Sequence, residues 1–269
     1  MTYKMLVLDI DDTLLNSDQE ISPKTYDRLM AFQEAGFQLV LASGRPYEGM
    51  IGLAKELHLH SYNSYIISMN GAQVNRMQDQ AIIFKQPINF EDQKAFIPFL
   101  QEKGFSVLTY HEGKIIVDKV STYSHVESEL TGMSDYIDPD YFKNLQEAKL
   151  KFIAVGEPDL VNTVEMDLQQ HFGQETTCTS SKPFYLEFYN SKVSKGLAVQ
   201  TLANKLGYGI DQVIAMGDGN NDISMIQAAG LGVAMANASA ALKAVADEVT
   251  LSSDEDGVAA IVDKYFLNK

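Results

Sequence analysis

The stretch MLVLDIDDT, residues 5–13, joins an apolar run to three acidic side chains, Asp9, Asp11 and Asp12. Four consecutive apolar residues, Met5 to Leu8, are typical of a strand buried on both faces of a parallel sheet. Carboxylates this close together repel, and each raises the free-energy cost of ionising the next. Acidic residues are also common in turns, so the run by itself is equally consistent with a structural turn. The rest of the chain decides between the two interpretations.

Strands and helices alternate in the first and last thirds of the chain, whereas the middle third has another pattern. After the first strand, Ser22 is placed to cap a helix that begins with Pro23 and stops at Gly36. Further strands are predicted from the short apolar segments QLVLA (38–42), SYIISMNGA (64–72), QVIAMG (212–217), LGVAM (231–235) and EVTL (248–251). Amphipathic helices between continuous apolar strands indicate an α/β fold, a doubly wound, Rossmann-like parallel-sheet core.

The middle of the chain has the pattern of β-hairpins instead. Hairpins are predicted at QVNRMQDQAIIFKQ (73–86), FSVLTYHEGKIIVDK (105–119) and TTCTSSKPFYLEFYN (176–190), with helices at residues 90–103, 122–130 and 158–172. Hairpins imply antiparallel pairing, so this region is predicted to form a separate α+β layer. We therefore predict a core formed by residues 1–83 and 190–269, with a domain of residues 84–189 inserted into it.

Composition excludes several classes of partner. A formal net charge of −15 argues against nucleic acid, whose phosphates would be repelled. No apolar run approaches the roughly 20 residues that span a bilayer, and Asp9 interrupts any signal-peptide pattern. The single cysteine, Cys178, allows no internal disulfide, so we expect a cytoplasmic protein. The five histidines lack zinc-ligand spacing.

Polar side chains follow the predicted core strands where each strand ends. In an open α/β sheet, ligands bind at the carboxyl ends of the strands, so these residues are candidates for one common site. They are Asp9, Asp11, Asp12 and Thr13 after the first strand, Ser43, Gly44 and Arg45 after the second, Asn70 after the third, Asp218, Asn220, Asn221 and Asp222 after QVIAMG, and Lys195 in the first turn of the returning helix.

Hard oxygen ligands without histidine suit Mg²⁺, which takes one or two carboxylates, water and substrate phosphate. Asp9 and Asp218 are placed to hold such an ion, which would remove their mutual repulsion. Ser43 and Lys195 would then contact the remaining oxygens of a phosphoryl group. The order of these residues along the chain, each after a strand, is far more specific than any one of them.

The sequence resembles the haloacid dehalogenase-like superfamily, and within it the Cof-type phosphatases, which carry a large α/β (C2-type) cap. The resemblance covers essentially the whole chain. The family's DxD motif matches Asp9-Ile10-Asp11, its Ser/Thr motif matches Ser43 in LASGR, its lysine matches Lys195, and its acidic motif matches Asp218 to Asp222. Asp12 stands where many members carry glycine.

The resemblance implies a Mg²⁺-dependent phosphatase acting through an aspartyl-phosphate. Asp9 would be the nucleophile, and Asp11 would protonate the leaving oxygen and then activate water. Asp9, Asp218, Asp222 and the backbone carbonyl of Asp11 would hold the metal. The phosphate- or substrate-binding residues would be Ser43, Gly44, Arg45, Lys195 and Asn221. The inserted domain would select the leaving group of a small phosphorylated metabolite, such as a sugar phosphate or a phosphorylated cofactor.

Two alternatives stay open at this point. A phosphomutase would use the same aspartyl-phosphate, although the position of the insertion argues against it. A phospho-accepting regulatory module also combines paired acids, Ser/Thr and Lys with Mg²⁺. Such a module is about half as long, and its acceptor follows the third strand, where this chain has Asn70. A dehalogenase and a nucleotide-sugar glycosyltransferase explain fewer of the residues. The sequence does not determine the oligomeric state.

Overall fold

A computed structural model describes residues 2–172 and 175–267. Two compact units divide the chain: Met1–Phe84 with Ser194–Lys269 form the first, and Lys85–Val193 form the second. Within the described ranges, no helix combines the length and the apolar composition that crossing a bilayer requires.

The elements follow one another in three segments of the chain. The first segment contains β1 (Met5–Leu8), α1 (Pro23–Glu34), β2 (Gln38–Ala42), α2 (Ile51–Glu56), β3 (Tyr65–Ser68), β4 (Gln73–Arg76) and β5 (Ile82–Lys85). The middle segment contains α3 (Phe90–Glu102), β6 (Ser106–His111), β7 (Lys114–Val117), α4 (Val126–Thr131), β8 (Asp135–Ile137), α5 (Pro139–Lys143), β9 (Lys151–Val155), α6 (Pro158–Phe172), β10 (Thr176–Lys182) and β11 (Tyr185–Asn190). The last contains α7 (Lys195–Leu206), β12 (Val213–Gly217), α8 (Ile223–Ala228), β13 (Leu231–Ala234), α9 (Ala240–Lys243), β14 (Glu248–Val249) and α10 (Gly257–Val262).

The first unit is built on an eight-stranded sheet in the order β14-β13-β12-β1-β2-β3-β4-β5. The strands from β14 to β3 are parallel, which confirms the predicted doubly wound core. All four residues of β1 are fully buried, as expected for a central strand covered on both faces. Leu8 lies beside Met216 of β12 and beside Leu41 of β2. This register brings the ends of three strands to one level, and with them the residues that follow each strand.

Local signals in the sequence set the bounds of α1. The Ser22 side chain accepts a hydrogen bond from the Thr25 N–H, and Pro23 opens the helix. The helix ends before Gly36, whose φ of +84° lies in the left-handed region. These are the predicted cap, start and stop.

The hairpin at residues 73–86 exists, and residues 73–83 lie in the first unit, as the predicted core of residues 1–83 requires, although the hairpin pattern had grouped them with the α+β layer. Strand β4 pairs antiparallel with β3, with Val74 beside Ile67, and β5 neighbours β4 at the edge of the first sheet. Val74 is 1% exposed, because it packs into the core of the first unit. Antiparallel pairing alone therefore did not identify the unit to which the hairpin belongs.

The two boundaries also differ from the predicted residues 84 and 189. Phe84 belongs to the first unit, because it lies in β5 and packs against the core of that unit. Residues 190–193 belong to the second unit. They are held there because the Asn190 side chain donates to the Pro87 carbonyl oxygen (2.8 Å) and the Ser191 N–H donates to the Glu175 carbonyl oxygen (2.9 Å).

The second unit contains a six-stranded sheet in the order β10-β11-β9-β6-β7-β8. The predicted hairpins β6–β7 and β10–β11 are both present and antiparallel. Sequence reasoning missed β9, which lies between them, and β8, which pairs parallel with β7. Helices α3 and α6 supply Phe96, Leu100 and Leu168 to the core on one face of this sheet.

Candidate active site

Asp9 and Lys195 meet at the carboxyl end of β1. Lys195 is the first residue of α7, where the Ser194 side chain caps the helix by accepting from the Leu197 N–H (3.1 Å). The Lys195 Nζ lies 2.5 Å from Asp9 Oδ1 and 2.6 Å from Asp222 Oδ1. Lys195 and Asp222 are fully buried, and Asp9 is 6% exposed. The three residues therefore form a buried ion triad, in which Asp9 and Lys195 are 186 residues apart in the sequence.

The loop after β12 is shaped around Asp222. Its Oδ2 accepts hydrogen bonds from the N–H groups of Asp218 (3.1 Å) and Gly219 (3.0 Å). Gly217 allows this approach, because a Cβ there would lie 2.6 Å from the carboxyl carbon of Asp222. Both Asp222 oxygens thus accept from protein donors, one from the loop and one from Lys195.

Asp218 completes a cluster of three carboxylates. Asp9, Asp218 and Asp222 each offer an oxygen, and these atoms all lie within 4.8 Å of one another. The Thr13 hydroxyl, 1% exposed, donates to Asp218 Oδ1 (3.3 Å), a contact that sequence reasoning did not assign. Three carboxylates face a single ammonium, a formal excess of two negative charges. A divalent oxygen-binding cation would balance this excess.

The pKa values of the cluster reflect that excess. Burial raises the pKa of Asp9 well above its usual range, and Asp222 and Asp218 add to the rise against the opposing charge of Lys195. Burial, then Asp222 and Asp12, raise the pKa of Asp218 to about 6. Burial opposes ionisation of Lys195, but Asp222 and Asp9 outweigh it and raise its pKa. The lysine stays charged, and its single positive charge does not balance the three carboxylates.

Asp11 lies apart from this cluster. Its carboxylate pairs with Arg45, whose Nε donates to Oδ2 (3.0 Å) and whose Nη2 donates to Oδ1 (2.5 Å). The Asp11 side chain is 46% exposed and that of Arg45 is 20% exposed. Two of the predicted site residues, the acid and a phosphate ligand, therefore contact each other in this structure.

The loop of residues 43–45 lies next to Asp11. Ser43 is 2% exposed, its hydroxyl oxygen accepts from the Arg45 N–H (3.1 Å), and its own N–H donates to the Ile67 carbonyl oxygen (2.9 Å). Within residues 2–172 and 175–267, the Gly44 N–H donates to no protein acceptor. The loop thus offers one N–H and one hydroxyl to an anion.

Asn221 is exposed on the loop after β12, and its Nδ2 lies 3.4 Å from the Oδ1 of Asn70. Asn70 follows β3. Its place at the end of the third strand made it a predicted candidate for the site, because that strand ends at the same edge of the parallel sheet as the others, although no family motif gave it a role.

Asp12 adopts a backbone conformation that favours glycine, the residue that the family resemblance led us to expect at this position. Its φ of +57° lies in the left-handed region, which glycine adopts without strain and which aspartate tolerates better than most residues. Its carbonyl oxygen accepts from the Asn237 side chain (2.7 Å), which holds the turn in place.

The chain is similar to known proteins over nearly its whole length. Residues 6–262 match the family model of haloacid dehalogenase-like hydrolases. A Streptococcus pyogenes protein that bears the name of a phosphatase is 33% identical over 276 residues and covers all of both chains. The Bacillus subtilis 5-amino-6-(5-phospho-D-ribitylamino)uracil phosphatase YcsE is 28% identical, over 98% of this chain and 96% of its own. The crystal structure of a haloacid dehalogenase-like hydrolase from Bacteroides thetaiotaomicron superposes with a TM-score of 0.93 at 34% identity, over 98% of this chain and 100% of that one.

This chain belongs to the haloacid dehalogenase-like hydrolases, since the family model matches nearly its whole length. The predicted enzyme class, a phosphatase, is confirmed by the family model and by relatives that match this chain over nearly its full length.

Proposed function

We propose that the protein is a Mg²⁺-dependent phosphatase that hydrolyses small phosphorylated metabolites through an aspartyl-phosphate at Asp9. The observation that carries the proposal is the buried triad of Asp9, Lys195 and Asp222 beside Asp218. A structural ion pair needs one acid and one base. Three acids at one base, at the carboxyl edge of the sheet, support a site for a cation and a phosphoryl group instead.

The donor set fits Mg²⁺. Asp9 and Asp218 would be ligands, with the Asp11 carbonyl, and Asp222 would contribute directly or through water. The bound ion would shield the carboxylates from an anionic substrate and polarise the phosphoryl oxygens. The raised pKa of Asp9 and of Asp218 supports this assignment, because a cation would favour the ionised form of both.

The chemistry of the chain's own residues follows from their positions. Lys195 holds Oδ1 of Asp9, and among the described residues no donor contacts Oδ2. Asp9 attacks phosphorus, and the bond from phosphorus to the leaving oxygen breaks as Asp11 delivers its proton to that oxygen. Water then attacks the aspartyl-phosphate and passes a proton to Asp11, which releases phosphate and restores both acids.

Phosphoryl oxygens would be held by Lys195, the Ser43 hydroxyl and the Gly44 N–H, with Arg45 and Asn221 at the rim. Arg45 pairs with Asp11 in this structure. Binding of a phosphoryl group would offer Arg45 a second anion, so we expect the guanidinium to exchange between the two.

The inserted segment is proposed to select the leaving group. YcsE, a relative of this chain, is named for a phosphorylated ribitylamino-uracil, which supports a small polar phosphate ester as the substrate class. A cytoplasmic location suits such metabolites, and the single cysteine, Cys178, is buried.

The test is phosphate release from a panel of phosphate esters, measured with Mg²⁺ and with EDTA. Wild type should release phosphate only with the metal, and acid-quenched protein should carry label from a ³²P-labelled ester. Asp9→Asn should show neither. Full activity in EDTA would overturn the metal assignment, label retained in Asp9→Asn would overturn the nucleophile, and an isomerised ester without free phosphate would indicate a mutase.

A further inference from the structure

Strand β3 ends in a turn with an unusual backbone. Three consecutive residues lie in the left-handed region: Met69 (φ 51°), Asn70 (φ 54°) and Gly71 (φ 102°). For residues other than glycine this conformation costs roughly 1–2 kcal/mol each, and it persists only where the surroundings impose it. Such strain is concentrated at functional sites. We refer to these three residues as the Met69–Gly71 turn.

The turn is bonded to both ends of the loop of residues 43–45. The Met69 N–H donates to the Arg45 carbonyl oxygen (2.9 Å), and the Asn70 N–H donates to the Ser43 carbonyl oxygen (3.0 Å). These two bonds require successive N–H groups to point the same way, which an extended strand does not allow. The left-handed backbone therefore fixes the position of the 43–45 loop, because it allows both hydrogen bonds to form.

The same turn packs against the residue that precedes the lysine. A Cβ at Gly71 would lie 2.3 Å from the Ser194 carbonyl oxygen and 3.1 Å from the Lys195 nitrogen. Only glycine permits this approach. The turn thus contacts two of the segments that carry predicted phosphate ligands.

The Asn70 side chain lies close to two further residues of the proposed site, Gly44 and Asn221. Its Oδ1 lies 3.1 Å from the position that a Cβ on Gly44 would occupy, and the Asn221 Nδ2 lies 3.4 Å from that same oxygen. Across residues 2–172 and 175–267, the Asn70 Nδ2 donates to no protein acceptor. Asparagine combines two properties here: it tolerates the left-handed backbone, and its amide covers Gly44.

We propose that Asn70 is a positioning residue for the phosphoryl group, one that holds the 43–45 loop and Asn221 in register with Lys195. The inference rests on the proposed function of the site and adds to it a residue outside the family motifs quoted above. A misplacement of about 1 Å in groups that bind a reacting phosphoryl costs on the order of 100-fold in rate. Asn70 does not contact the carboxylate cluster, so metal binding should not depend on it.

The test compares Asn70→Gly with Asn70→Ala. Glycine keeps the left-handed backbone and removes only the amide, whereas alanine also adds strain. We expect Asn70→Gly to lower kcat/KM on p-nitrophenyl phosphate at least about tenfold and to weaken orthovanadate binding by a similar factor, since vanadate mimics the transition state. Mg²⁺ binding, measured by calorimetry, should change less than about twofold, and the melting temperature should not fall.

The matched control is Gln80→Gly, at an exposed position with φ 59° in the turn between β4 and β5. It relieves similar strain away from the site, so activity and vanadate binding should equal those of wild type. Asn70→Gly within about threefold of wild type in both measurements would overturn the proposal, as would equal losses of vanadate and Mg²⁺ binding. Vanadate binding is followed by the shift in melting temperature and needs no turnover. It therefore tests the positioning role of Asn70 separately from the catalytic role of Asp9. If Asp9→Asn kept its activity and the proposed function failed, the result for Asn70 would still stand.

Discussion

Replacement of Lys195 by methionine tests the buried ion triad most directly. The ammonium is fully buried and lies 2.5 Å and 2.6 Å from two carboxylate oxygens. Methionine keeps most of the volume of the side chain, so the cavity left behind is small. The variant then isolates the charge. Removing one partner from a buried ion pair typically costs about 3–5 kcal/mol, because it leaves uncompensated buried charge.

We expect Lys195→Met to lower the free energy of unfolding by about 3 kcal/mol near pH 7.5 in EDTA. The loss should shrink toward about pH 5, and the sign follows from linkage. Without the ammonium, the pKa of Asp9 rises further, so folding retains a proton that the unfolded chain releases, and stability falls as the pH rises through the folded-state pKa. Urea titrations followed by circular dichroism at both pH values measure the difference.

Lys195→Met should also lower kcat, for a reason separate from the loss of stability. Loss of one charged donor to a phosphoryl oxygen costs on the order of 100- to 1000-fold in kcat. Lys149→Met is the matched control, because Lys149 is also buried (7% exposed) and pairs with Glu147 in the second unit. It should lose some stability and keep its activity. If Lys195→Met were as stable as wild type, or if its loss of stability did not depend on pH, the conclusion that Lys195 stabilises the buried carboxylates would be wrong.

Three further outcomes are expected. Asp9→Asn should reduce phosphate release at least about 1000-fold while the circular dichroism spectrum is unchanged, and a loss of less than about tenfold would contradict the role of the carboxylate. Mg²⁺ affinity should weaken several-fold when the pH falls from about 7.5 to about 5.5, because Asp218, with a pKa of about 6, must lose its proton to bind the ion; calorimetry showing equal affinities would exclude it as a ligand. Asp12→Gly should raise the free energy of unfolding by about 0.5 kcal/mol, since glycine adopts φ +57° without strain, whereas Asp12→Ala should lower it; thermal melts that rank the two the other way would contradict the strain argument.

The elements that sequence reasoning identified well are those with local signals. The α1 helix carries its cap, its first proline and its terminating glycine within 15 residues, Ser22–Gly36. The core strands are short apolar runs between amphipathic helices, so their type did not depend on distant partners. The missed strand β9, with the sequence KFIAV, is equally apolar. It lacks a turn of its own, and only its two neighbours, β11 and β6, show it to be the centre of the second sheet.

The sequence by itself determined which residues stand at the ends of the core strands, and therefore the content of the candidate site. That information is local, because a residue's place after a strand depends only on the run that precedes it. The pairing of these residues was decided by the tertiary structure alone. Whether Lys195 meets Asp9 and Asp222, and whether Arg45 meets Asp11, depends on the register of parallel strands and on the packing of α7. The Met69–Gly71 turn is the clearest case, because its left-handed backbone is imposed by contacts with residues 43–45 and 194–195. Such contacts join segments separated by up to about half of the chain, and no pattern within any one segment encodes them.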